Sequence, residues 1–118
     1  MVKLHAINHT RHCVLVTNGI VADTWWTRLK GLLGRPSLQP GEGLLLRGEK
    51  AIHTIGMRFP IDVLFLDSAH RVVHLIPTMG AQRFSPFVAR ASDVLELPAG
   101  IIAETGTMLG DQIEITFT

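Results

Sequence analysis

Cys13 is the only cysteine in the chain, so no intrachain disulfide can form and the fold must be held by its own core. It lies in His12-Cys13-Val14-Leu15-Val16, with no basic or helix-start setting to activate it as a nucleophile, and a small buried hydrophobe is its expected role. Charge is scarce: charged residues make up 18% of the chain, and eleven Lys and Arg against ten Asp and Glu leave a formal charge of +1. No global field steers such a chain to phosphate, so nucleic acid is not an expected partner. Long apolar runs are missing too. None reaches the ~20 residues that cross a bilayer as a helix, and the opening Met-Val-Lys-Leu-His-Ala-Ile-Asn-His-Thr-Arg-His has neither the apolar stretch nor the cleavage site of a signal peptide. Together these absences predict a cytoplasmic location with no membrane partner.

Chemical motifs are equally sparse. There is no Gly-x-Gly-x-x-Gly or Gly-x-x-x-x-Gly-Lys loop to cradle phosphate and no Gly-x-Ser-x-Gly elbow for a nucleophile. His5, His9, His12 and Cys13 fit none of the paired zinc-ligand spacings, and strand periodicity would scatter their side chains, so neither metal nor cofactor is expected. His70 and His74 read as solvated.

What is present is apolar: 47% of 118 residues. That is too apolar and too weakly charged for a disordered segment. A chain of this length removes roughly two-thirds of its unfolded surface from water, so residues 1–118 are expected to form a single domain.

Cys13–Val16 and Ile20–Ala22 are β-prone runs joined by Asn18-Gly19, which predicts an N-terminal hairpin. Asp23 or Thr24 can cap a helix whose Trp25, Leu29 and Leu32 make one apolar stripe, ended by Gly34 and Pro36. Short β-prone pieces follow at Leu44–Leu46 and Ile52–Ile55. Pro60–Asp67 is the most strand-like segment, apolar on both faces and so expected to be covered on both. A turn at Asp67–His70 leads into a partner strand at Arg71–Ile76. Residues 77–92 hold no clear element, and a loop this long is a functional suspect. Strands at Asp93–Leu97 and Gln112–Phe117 complete the chain, with a bend or short helical turn after Pro98. Many short strands and one principal short helix predict a mainly β fold, an antiparallel sandwich or partly open barrel.

Arg28-Leu29-Lys30-Gly31-Leu32-Leu33-Gly34-Arg35, Gly41-Glu42-Gly43, Ile52 to Phe65, Leu95-Glu96-Leu97-Pro98-Ala99-Gly100 and Gly110-Asp111 stand in an order and spacing that resemble the prokaryotic family called domain of unknown function 192, over residues 12 to 118. The resemblance implies a mostly β, sandwich-like domain with a small helical component, and it implies no catalytic activity. Many members read Phe-Trp-Met-Lys-Asn-Thr where this chain has His53-Thr54-Ile55-Gly56-Met57-Arg58, so a ligand property tied to that Trp does not transfer.

Within these motifs Asp62 is the most informative residue. It heads an apolar strand and shares a face with Leu64 and Leu66, where an unpaired carboxylate is intolerable. A cation, with Arg28, Arg58 and His53 the local candidates, or several N–H donors should meet it. Glu96 alternates with Leu95 and Leu97 and points either outward or at a basic partner across the sheet, its place in a motif favouring the second. Arg28, His53, Met57, Arg58, Asp62 and Glu96 are the candidate site cluster. The leading functional reading is a non-catalytic binding module in which the His53–Asp62 motif and the 77–92 loop line a cleft for a small molecule or peptide. The alternatives are a hydrolase-like enzyme using His53 and Asp62 as acid and base, and an interaction domain that pairs, even with itself, through a strand edge or through the Phe84 and Phe87 loop.

Overall fold

The computed structural model describes residues 2–22 and 35–118. The expected helix over Thr24–Leu33, and Arg28 with it, lies outside the described residues. Within them run β1 (Lys3–Asn8), β2 (Cys13–Ala22), β3 (Glu42–Arg47), β4 (Ile61–Leu66), β5 (Val72–Met79), β6 (Asp93–Pro98), the short helix α1 (Ile101–Thr105) and β7 (Ile113–Phe117). The seven strands form one sheet in the order β5-β4-β6-β3-β2-β1-β7, curled into a half-barrel. Its outer strands meet through an isolated bridge between Arg71 and Gln112, reinforced by Val72 N–H donating to the Asp111 carbonyl at 3.0 Å. The expected mainly β, partly open barrel is therefore present. Every strand pair is antiparallel except β2–β3, whose parallel run is made possible by the long connection over residues 23–41.

The N-terminal hairpin differs from the sequence-based expectation. Asn18-Gly19 is no turn: β2 runs straight through it, and the hairpin is β1–β2, turning at residues 9–12. β1 itself shows strict alternation, with Leu4, Ala6 and Asn8 inward. Gly19 serves close packing instead. A Cβ built on it would sit 2.7 Å from Val16 Cγ1 and 2.9 Å from Leu4 Cδ1, and both of those side chains are fully buried. Gly19→Ala should cost about 1–3 kcal/mol by overpacking, read as a lower denaturant midpoint at unchanged slope; a midpoint equal to wild type would refute this role.

The sheet is covered on both faces. On one, residues from all seven strands, among them Leu4, Val16, Leu45, Leu64, Val72, Leu95 and Ile113, pack with Ile102 of α1. On the other, Leu44, Leu46, Ile61, Val63, Phe65 and Val94 meet Leu38, Ile52, Met57, Phe59 and Ala91 from the connecting segments. All six residues of β4 are consequently buried, as its continuous apolar run requires. β5 extends three residues beyond Ile76, through Pro77, a residue tolerated because β5 is an edge strand where a missing N–H breaks no ladder. His70 and His74 are half-buried, not solvated: His70 Nε2 lies 3.7 Å from Asp93, and the His74 ring packs 5.4 Å from that of Phe65.

Candidate functional site

Asp62 is fully buried and, among the described residues, meets backbone donors rather than a cation. Its Oδ1 accepts the Thr78 N–H at 2.8 Å and its Oδ2 the Ile102 N–H at 2.7 Å. Both donors come from special backbone. Ile61 pairs with Met79 and Val63 with Ile76, so Pro77 and Thr78 together oppose Asp62 in a β-bulge. Thr78 sits there at φ 52°, a left-handed conformation that is costly for a β-branched residue. At the other oxygen, α1 starts after Gly100, whose φ of 101° turns the chain from β6 and which supplies no side-chain cap. The Asp62 carboxylate takes over the capping of that first turn. One side chain thus pins the bulge of β5 to the start of α1.

Antiparallel pairing sets Asp62 opposite Leu97 and Val63 opposite Glu96, so the two carboxylates occupy opposite faces of the sheet. Glu96 points neither to solvent nor toward Asp62; it is fully buried on the face it shares with Val63 and Leu44.

The rest of the central motif lies over that same face. Ile52, Met57 and Phe59 are buried in its core, which gives Met57 a packing role, whereas Arg58 is exposed. His53 is half-buried, and its Nδ1 accepts the Ile55 N–H at 3.2 Å. The acid and base of the hydrolase reading are therefore not brought together: both Asp62 oxygens are engaged by backbone, and His53 belongs to a segment packed on the other side of the sheet.

His53 is joined instead to the 77–92 loop. The two segments do not face each other across a cleft but are zipped together. His53 and Phe84 form a β-bridge, Ser85 N–H donates to Ile52 O at 2.9 Å and Val88 N–H to Lys50 O at 2.7 Å. Thr54, buried, acts as the clasp: its N–H donates to Arg83 O, its hydroxyl donates to Gly80 O at 2.6 Å and accepts Arg83 N–H at 2.9 Å. Lys50 Nζ donates to the carbonyls of Ala89 and Ala91. On this fixed backbone Phe84 and Phe87 are 77% and 71% exposed, Ile55 is exposed as well, and the His53 ring lies 6.0 Å from that of Phe84.

A polar cluster that residue patterns did not single out ties the β1–β2 turn to the segment before β7. Asn8 Nδ2 donates to Thr107 Oγ1 and to Asp111 Oδ2, both at 3.0 Å. Arg11 Nε donates to Asp111 Oδ2 at 3.0 Å and its Nη2 to Oδ1 at 3.3 Å, while Met108 N–H adds a bond of 3.0 Å to Oδ2. Burial pushes the Asp111 carboxyl upward, but the Arg11, Asn8 and Met108 hydrogen bonds and the Arg11 charge outweigh it and hold the group below its ordinary value. The same contest, with the same winner, holds Glu42 low through Arg35 and the Gln39 N–H. Cys13 sits beside the cluster, half-buried, with its Sγ 3.3 Å from the Arg11 carbonyl. The sequence signs of the cluster are Asp111 standing in the Gly110-Asp111 motif and Asn8 falling in phase with Leu4 and Ala6, a polar residue aimed at a core.

Among the described residues, no group of three or more His, Cys, Asp or Glu is arranged to hold a metal ion, and no helix is long and apolar enough to cross a membrane.

The family model DUF192, described as uncharacterized ACR, matches residues 7–115. The chain belongs to the DUF192 family. A curated UPF0127 protein of Thermococcus sibiricus is 31% identical over 92% of this chain and 72% of its own length. Among solved structures, a protein of unknown function from Novosphingobium aromaticivorans superposes with a TM-score of 0.78 at 21% identity, covering 95% of this chain and 83% of the other. A candidate transcription regulator from Sinorhizobium meliloti 1021 gives 0.77 at 22% identity, over 97% and 93%. At these identities the two structures share the DUF192 fold with this chain, and the likeness extends no further.

Proposed function

We propose that this DUF192 domain is a non-catalytic binding module whose contact surface is the platform of Phe84, Phe87 and His53. The observation that carries the reading is the pair of phenylalanines held out to solvent on a backbone hydrogen-bonded along its length to residues 50–54. An apolar ring in water forgoes the transfer free energy of burying it, and a rigid aromatic displayed at low entropy cost is the usual anchor of a binding surface. Buried Asp62, which the acid–base alternative requires, is bound by the fold itself, and this favours binding over catalysis.

Phe84→Ser/Phe87→Ser should change stability by less than about 0.5 kcal/mol, since surface substitutions away from structural contacts rarely do more. In an NMR fragment screen, amides of residues 50–60 and 80–92 should shift with aromatic fragments, and the double variant should lose those shifts. Unfolding of the double variant, or shifts confined to the cavity lined by Asn18, Arg35, Leu38 and Glu42, would refute the assignment.

A further inference from the structure

Resting on that reading of the Phe84–Phe87 surface, we infer that its partner is an acidic protein segment with an apolar anchor. The sequence of the platform carries the argument. Residues 50–60 and 79–91 contain Lys50, His53, Arg58, Arg83 and Arg90 and neither Asp nor Glu, although the chain as a whole is nearly neutral. Lys50 is used inside the loop, and Arg90 lines a separate cavity with Asp67 and Arg71. Arg58 and Arg83 remain: both are exposed, and neither has a carboxylate partner among the described residues. Arg11 and Arg35, by contrast, are each paired with a carboxylate. Guanidinium groups without a carboxylate partner among the described residues, on the two joined segments that also carry the uncovered rings, match carboxylates flanking a hydrophobic side chain, because the planar fork binds carboxylate in two places while the rings take the anchor.

The same chemistry fits a lipid surface or a single-stranded nucleic acid less well. Recognition of anionic membranes draws on clusters of about 4–8 basic residues, and among the described residues this platform offers Arg58 and Arg83 alone. A nucleic-acid path needs a continuous basic track along its backbone, and Glu49 and Asp93 bound the two segments.

Selection of a displayed library of random dodecapeptides against the full chain tests the proposal. The enriched peptides should carry Asp or Glu on either side of an aromatic or large aliphatic residue, and their affinity should fall as salt rises. Against the best of them, measured by fluorescence polarisation, Arg58→Ser/Arg83→Ser should weaken binding about tenfold, the sum of two modest charge pairs. Phe84→Ser/Phe87→Ser should abolish it. Peptides without acidic residues, or an arginine variant that binds as wild type does, overturn the acidic partner while leaving the platform standing. A phenylalanine variant that binds as wild type does overturns both. A selection that enriches nothing, or tighter binding to phosphatidylserine vesicles or to a single-stranded oligonucleotide, also overturns the inference.

Discussion

Asp62→Ala should be the most damaging single substitution outside the apolar core, lowering stability by about 1.5–4.5 kcal/mol, because it leaves the buried Ile102 N–H unsatisfied at about 1–3 kcal/mol and removes the part-buried Thr78 bond at about 0.5–1.5 kcal/mol. The Ile102 donor is buried, and truncation leaves it facing a cavity in place of the lost oxygen. The Thr78 donor lies in a left-handed bulge that persists only while its surroundings hold it. Asp62→Asn separates charge from shape. Both native oxygens accept N–H bonds, so an amide can satisfy one and must set its own NH2 against the other. A loss of about 1–3 kcal/mol is expected. Urea melts of the three proteins decide the matter: a Asp62→Asn midpoint equal to wild type would show that the carboxylate does not hold the bulge and α1 together. Hydrogen exchange adds an independent check, since the Thr78 and Ile102 amides should lose protection before those of β4.

Asp62 divides what is legible in the sequence from what is not. Its burial follows from a strand apolar on both faces, a local pattern, and the sequence reveals it. Its partners do not, because Thr78 and Ile102 come from a bulge and a helix start placed by the tertiary fold. Backbone N–H groups carry no residue signature; nearby Arg58 and His53 looked like better partners only because side chains can be seen in a sequence. Asn18-Gly19 failed for a related reason. The dipeptide permits a tight turn, but Gly19 is consumed by the contact with Val16 and Leu4, so packing between strands overrides turn propensity. The suspicion attached to the 77–92 loop rested on length alone, yet its pairing with His53 is the feature that now defines the candidate surface. What length could not convey is that the loop is zipped to residues 50–54, which turns an expected cleft into a raised platform.

Asp111→Asn should flatten the acid limb of the stability curve. The folded state holds the Asp111 carboxyl below its ordinary value, so folding favours the ionised form. The stabilisation is fully present above the unfolded-state value of about 3.9, and it is lost as pH falls through the lower folded-state value. Glu42 is held low as well and contributes a loss of the same sign around the same pH, which is why the Asp111→Asn variant should still weaken in acid. The difference between wild type and Asp111→Asn isolates the cluster: large near neutral pH, it should shrink steadily below about pH 4. Asp111→Ala goes further. Among the donors it orphans, Arg11 can turn to water because its side chain is 39% exposed, but Asn8 is fully buried and its Nδ2 keeps only the bond to Thr107. A cost of about 1–3 kcal/mol follows from Asn8 alone, with the β1–β2 turn released from the segment preceding β7. Asn8→Ala/Asp111→Ala provides the decisive comparison, since removing the stranded donor along with its acceptor should recover part of that loss. A double variant as unstable as the sum of the two single ones, or an acid limb unchanged by Asp111→Asn, would show that the cluster does not act as one unit.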